Sequence, residues 1–230
     1  TVAVDNTPPI SSLVIGQPQF ALSTSTLLVS SKTLFAFSSV DPVSSNVASG
    51  VKQTFFQVNG STLAVFTSSF TLSPPDGPKV IEFFSRDNVL NAEIARSSSV
   101  LLDATPPEVA LLSPAACDSG ICRVVKGQVP VLGAVSDLHL RDWRLEAAMG
   151  QNATTGYILI SSGTTAVSSG TLGLWNASSL SGWQTLRLTA TDLVLNTSLV
   201  STNVFVGDPS LILVLGGKKT FNKPEGVAVG

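Results

Sequence analysis

An Asp-x-Thr-Pro-Pro element occurs twice in this chain, as "DNTPP" from Asp5 and "DATPP" from Asp103, 98 residues apart. Two further landmarks recur in the same order. "SVD" ends at Asp41 and "VSD" at Asp137, 96 residues apart, while "RDNVLN" from Arg86 returns as "TDLVLN" from Thr191 at a spacing of 105. A period of about 100 residues is a strong restriction, because each repeat must close its own core within one small domain. The 230 residues leave room for two such units and a tail.

Between the landmarks lie short runs of β-favouring residues: "TLFAF" at 33, "TFFQV" at 54, "KVIEFF" at 79, "VPVLGAV" at 129, "DWRLEA" at 142, "YILI" at 157, "TLRLTA" at 185 and "NVFV" at 203. In "DWRLEA" the apolar Trp143, Leu145 and Ala147 alternate with Asp142, Arg144 and Glu146, and "TLRLTA" alternates in the same way. Period two is the pattern of a strand with one wet face. Clusters such as "VNGST" and "PPDGPK" punctuate the runs as turns, and no amphipathic helix of ordinary length is legible. About seven short strands in about 100 residues fit an antiparallel sandwich. The chain therefore reads as all-β, with immunoglobulin-like sandwiches over 1–103 and 104–207 and a strand or linker segment over 208–230.

Asp103, Thr105, Pro106 and Pro107 read as the joint between the two. Proline lacks a backbone donor and holds the residue before it extended, so a sheet ladder must stop there and the chain must run on stiffly. Asp103 and Thr105 offer side-chain oxygens to cap the turn. If the copy at Asp5 marks a similar join, "TVAV" at residues 1–4 reads as the trailing strand of a preceding repeat or as a strand lent to a neighbour.

The order Asp-x-Thr-Pro-Pro, then "SVD" or "VSD", then "GV" at Gly50 with "FFQVNG" at Phe55, then a strand running into "RDNVLN", resembles bacterial immunoglobulin-like, fibronectin-III-like tandem repeats of large surface proteins. The last hairpin of those repeats often carries an Asp-x-x-Gly-Asn turn; here Leu90 and Leu195 stand in the glycine's place. The resemblance implies an extracellular stalk, spacer or adhesive repeat. The tail departs from it. "FNKPEGVAVG" from Phe221 is similar to the opening of an NHL-type propeller blade.

Only 12% of residues are charged, the net charge is -2 and the mean hydropathy is +0.37. Nothing here is a basic surface for nucleic acid or an anionic membrane. No apolar run approaches the roughly 18 residues of a bilayer span. Low charge of either sign removes a barrier to self-association. The opening residues lack the basic start and apolar stretch of a signal peptide, so the chain is expected to be a mature or excised segment. Cys117 and Cys122, in "CDSGIC", are close enough for a local disulfide, and such a bridge belongs to an oxidising, extracytoplasmic compartment.

The candidates for chemistry are sparse. His139, the sole histidine, lies near Asp137, but both flank Leu138 in a turn or strand entry rather than forming a triad. Asp5, Asp41, Asp87, Asp103, Asp137 and Asp192 are the candidates for calcium, which takes six to eight oxygen ligands. Turn aspartates accepting backbone hydrogen bonds are the simpler reading. Trp143, Trp175, Trp183 and Tyr157 could line a sugar platform, although Trp143 sits on the apolar face of its strand. Asn59, Asn152, Asn176 and Asn196 head Asn-x-Ser/Thr triplets.

The run "LILVL", Leu211, Ile212, Leu213, Val214 and Leu215, is uncharged and β-prone. It can pair within its own domain or with a neighbouring molecule. These features predict a non-catalytic extracellular or cell-surface structural protein without cofactor, a spacer or filament-forming unit whose partners are copies of itself or neighbouring repeats. An adhesin or carbohydrate-binding module recognising surface glycans is the alternative.

Overall fold

The computed structural model describes residues 4–116, 121–208 and 212–214. The chain is all-β, and no helix among these residues is long and apolar enough to cross a membrane. It divides into two compact units, Thr1–Pro106 with Asp192–Asn196, and Pro107–Thr191 with Thr197–Gly230.

In the first unit, β1 (Ile10–Ile15) pairs antiparallel with β4 (Phe35–Val40), Ile10 opposite Val40 and Ile15 opposite Phe35. The second layer is a six-stranded sheet. Its order is β2 (Gln19–Ala21), β3 (Leu27–Val29), β8 (Arg96–Leu102), β7 (Gly77–Asp87), β5 (Val51–Val58) and β6 (Ala64–Val65), with only the β3–β8 pair parallel. Along β7 the residues Lys79, Ile81, Phe83, Ser85 and Asp87 are all buried, the period of two expected of a strand with one face turned inward. Val29, Phe35, Leu72, Ile81, Phe83, Val100 and Leu102 form the core. Phe37, Phe56 and Phe70 pack on it as a group of rings, with Phe56 and Phe70 centroids 4.4 Å apart.

In the second unit, β9 (Glu108–Ser113), β11 (Gln128–Ser136) and β14 (Val167–Asn176) make a three-stranded sheet with β11 in the centre. The other layer runs β13 (Ile158–Gly163), β12 (Leu140–Met149), β15 (Gly182–Asp192), β16 (Thr197–Val206). Trp143, Leu145 and Ala147 of β12 and Leu186, Leu188 and Ala190 of β15 are buried in one cluster with Val129, Val131 and Val135 of β11. The alternations read from "DWRLEA" and "TLRLTA" therefore face the core. Trp143 donates its indole N–H to Thr165 O at 3.0 Å and lies so flat on Gly163 that a Cβ there would fall 2.7 Å from the ring.

The repeats differ most between the third and the penultimate long strands. The second unit spends 150–181 on that connection and builds β13 and β14 from it, whereas the first has only 59–76. In that shorter stretch β6 pairs with β5, and a single isolated bridge, Phe35 with Phe70, stands where the second unit has the whole of β14.

At the expected joint, β8 ends at Leu102 and β9 begins at Glu108. Pro107 is buried and Pro106 exposed, as are Pro9 and Pro8 at the first copy. A last pair, β10 (Ile121–Arg123) with β17 (Ile212–Val214), joins part of the "LILVL" run to the same chain. Cys117, the side chain of Cys122, "TVA" at the start, Leu211, Leu215 and the propeller-like residues 221–230 lie outside the described residues.

Candidate functional site

The recurrent landmarks meet at one end of the first sandwich. Asp5 precedes β1, Asp41 follows β4 and Asp87 ends β7, and one carboxylate oxygen of each lies within 4.8 Å of the other two. Their oxygens are taken up by donors. Asp5 accepts the N–H of Thr7 at 3.0 Å on Oδ1 and that of Ser49 at 2.7 Å on Oδ2. Asp41 Oδ2 accepts the N–H of Gly50 at 2.7 Å. Asp87 Oδ1 accepts the N–H groups of Val89 and Asn91, and its Oδ2 takes Asn91 Nδ2 at 2.6 Å. The same Asn91 amide reaches Asp5 O at 3.1 Å, tying the chain that enters the sandwich to its last hairpin. Backbone N–H donors, that of Thr7 first, hold the Asp5 carboxyl below the usual carboxylate value.

The second copy repeats this wiring. Asp192 Oδ1 accepts the N–H groups of Val194 and Asn196 at 2.8 and 2.9 Å, and Asn196 Nδ2 reaches both Asp192 Oδ2 at 2.7 Å and Asp103 O at 2.9 Å. Leu90 and Leu195 take φ of 74° and 68°, so the turn keeps the left-handed position of the Asp-x-x-Gly-Asn pattern with leucine in it. Burial pushes the Asp192 carboxyl up, against the pull of the Asn196 and Val194 donors, and Asp103 adds to the rise.

For a hard cation the available ligands would be Asp5, Asp41 and Asp87. Five of their six carboxylate oxygens already accept hydrogen bonds; Asp41 Oδ1, buried, has no such partner. The five bonded oxygens serve as acceptors for the turns and strand ends around them. Asp103, Asp137 and Asp192 make no comparable group of three among the described residues. Asp137 Oδ1 instead accepts the backbone N–H of His139 at 2.6 Å, which shapes the turn entering β12.

Two features escaped the sequence reading. Glu93, in the loop after the Asn91 turn, is buried and accepts the N–H groups of Ser11 at 3.1 Å and Ser85 at 2.8 Å. It also takes the Ser11 hydroxyl and pairs with Arg96 Nε at 3.3 Å. Ser11, Ser39, Thr54 and Ser85 continue inward as a closed set of hydroxyls, with Ser39 to Ser85 at 2.9 Å and Thr54 to Ser85 at 2.7 Å. The second is Asp76. It accepts the Ala104 N–H at 2.8 Å and the Thr105 hydroxyl at 2.6 Å, adding a third partner to the joint where Asp103 accepts the Thr105 N–H at 3.3 Å.

The aromatic platform is not assembled. Trp143 and Trp175 are buried in the core, Trp183 packs edge-on against Phe205, and the Tyr157 ring is covered by the Arg187 guanidinium at 3.5 Å. Arg187 is held there by Glu146 at 2.8 Å. Among the sequons, Asn196 is buried and committed to Asp103 and Asp192, so it is closed to modification in the folded state. Asn59, Asn152 and Asn176 are exposed.

No protein-family model matches this chain, and no curated protein matches it. Solved structures do. The fibronectin(III)-like modules of Clostridium thermocellum CbhA are 15% identical over 87% of this chain and 96% of that one, with a TM-score of 0.43. The three N-terminal domains of the bacteriophage RB49 highly immunogenic outer capsid protein are 10% identical over 86% of this chain and 70% of that one, with a TM-score of 0.45. A tetra-tandem repeat in the extending region of a large adhesion protein is 16% identical over 86% of this chain and 50% of that one, with a TM-score of 0.32.

Proposed function

We propose that this chain is an extracellular, non-catalytic structural unit, a spacer whose copies or neighbouring repeats associate by strand pairing and apolar contacts. The observation that carries this reading is the duplicated tie between the entering strand and the last hairpin: Asn91 to Asp5, and Asn196 to Asp103. Both repeats use buried polar groups to fix their own entry point, which is where a tandem array must resist bending and pulling. Asp5 and Asp87 serve that tie in the first repeat.

The alternative, a glycan-binding module, loses its main support because two of its aromatic candidates are core residues. Electron microscopy and light scattering over a concentration series test the proposal. Filaments or concentration-dependent oligomers are expected, and a monodisperse monomer at the highest attainable concentration would remove the self-associating part. Deleting 208–230 separates the routes: loss of assembly would place the contact in the tail, and unchanged assembly would place it on the sandwiches.

A further inference from the structure

The second sandwich is not filled along its β13–β14 edge. These two strands belong to opposite sheets, and Gly173 of β14 lies so close to β13 that a Cβ there would fall 2.8 Å from that of Ser161. One residue further along β14 the edges part, and a cavity of about 560 Å³ opens between Leu174 and Trp175 on one side and Ile158 and Ala147 on the other. Ala147, Trp175 and Gln184, at its floor, are buried. Its mouth is apolar, with Met149, Ile158 and Leu174 each more than half exposed. In the first repeat the matching space, between β5 and the Phe70 bridge, is taken by the stacked rings of Phe56 and Phe70. In the second, the strand that corresponds to β5 carries Ala147 and Ala148 there, and the volume stays open.

We infer that this cavity binds a neutral, mainly apolar small molecule that carries one hydroxyl or N–H donor. Small-molecule sites are concave, run from roughly 300 to 1,000 Å³, and set a few polar groups in apolar walls. The space here has that size, and it reaches inward between the sheets rather than along the surface, which suits a compact ligand better than a strand. No charged side chain lines it, so a carboxylate or an ammonium taken inside would lose its water without gaining a counter-ion. A sugar fails on similar grounds, since most of its hydroxyls would be buried against apolar walls. Gln184 supplies the directed contact. It is 2% exposed, its Nε2 donates to Ser181 O at 3.4 Å, and among the described residues no donor reaches its Oε1. A buried acceptor on a cavity wall is short of a partner, which the O–H or N–H of a ligand would provide. Asn176, also in the lining, is exposed and gives its Oδ1 to the N–H of Ser178.

The neutral dye N-phenyl-1-naphthylamine, apolar apart from its N–H, is the probe. Titrated into the full chain it should show one saturable site in the micromolar range, and it should quench tryptophan emission because Trp175 forms part of the wall. Decanol should displace the dye, and decanoate, an anion at neutral pH, should do so about tenfold more weakly. Gln184→Leu removes the acceptor and should weaken dye binding about tenfold. Ala147→Phe grows into the floor and should abolish binding. Ile158 is 75% exposed, so Ile158→Ser leaves the core untouched and should weaken binding about threefold, a readout that stands even if Ala147→Phe fails to fold. Absence of saturable binding overturns the inference, as does a dye site that Gln184→Leu and Ile158→Ser both leave unchanged. Displacement by decanoate as effective as that by decanol overturns the assignment of a neutral ligand.

Discussion

Leu90 shows how much a single backbone position can ask of a residue. Its φ of 74° lies in the left-handed region, where a Cβ costs on the order of 1–2 kcal/mol, and its side chain is 64% exposed, so little burial offsets that cost. Leu90→Gly should raise the stability of the first repeat by up to about 1 kcal/mol, the strain relieved less the added freedom of glycine in the unfolded chain. Calorimetry of the two variants side by side reads it, and a loss of stability would mean that the leucine side chain has packing value. Asn91 stands at the opposite pole. Its amide bonds both Asp87 Oδ2 and Asp5 O, so Asn91→Ala should cost about 1–3 kcal/mol and free the entering strand. Hydrogen exchange at Thr7 and Ser49, whose N–H groups rest on Asp5, is the local readout. Chelation with EDTA should leave the wild-type transition in place, because five of the six oxygens accept N–H donors. A melting temperature that rises with calcium and falls with EDTA would assign those oxygens to a cation instead.

At the level of elements, the polar interior of the first sandwich makes the sharper claim. Glu93 is the one acceptor for two strand N–H groups, those of Ser11 and Ser85, and it anchors the hydroxyl set behind them. Glu93→Ala strands both donors in a buried setting and should cost about 3 kcal/mol, visible as loss of exchange protection at Ser11 and Ser85 while the second repeat is unchanged. This network also marks where sequence reading runs out. Strands with alternating apolar residues, such as β12 and β15, are plain in "DWRLEA" and "TLRLTA". Strands built of hydroxyls and small residues, "ISSLVI", "RSSSVLL" and "VSSGTLGLWN", carry no such rhythm, because Ser faces either core or solvent equally well once its hydroxyl has a partner. Glu93 was invisible for a related reason. It lies in a loop, where no periodicity separates an inward carboxylate from an outward one. The three aspartates could be singled out because their spacing recurs, but their role as acceptors depends on where Ser49, Gly50 and Asn91 place their donors.

Across the whole molecule, the entering aspartate of the first repeat and the last-hairpin aspartate of the second sit in opposite electrostatic settings, and this makes their pH responses differ in sign. Asp5 has a folded-state value below the ordinary 3.8 because N–H donors favour its ionised form. Its contribution is complete above about pH 3.8 and is lost as pH falls from there through the folded value. Asp192 has a folded-state value above 3.8 because burial disfavours its charge, with the neighbouring Asp103 in the same direction. The native state then holds this proton more tightly than the unfolded chain. Stability from this group is greatest below pH 3.8 and declines as pH rises through its folded value. Mild acidification from neutrality should therefore firm the second repeat before it weakens the first. The chain itself supplies the means to see this, since Trp143, Trp175 and Trp183 all lie in the repeat whose strand β15 ends at Asp192, and residues 1–103 contain no tryptophan. Tryptophan fluorescence melts should show the second-repeat transition moving up between pH 7 and about pH 4, and a calorimetric transition without fluorescence change should move down only below about pH 4. A fluorescence transition that falls steadily over the first interval would mean that Asp192 is held ionised by its three donors after all, and that burial does not govern the second turn.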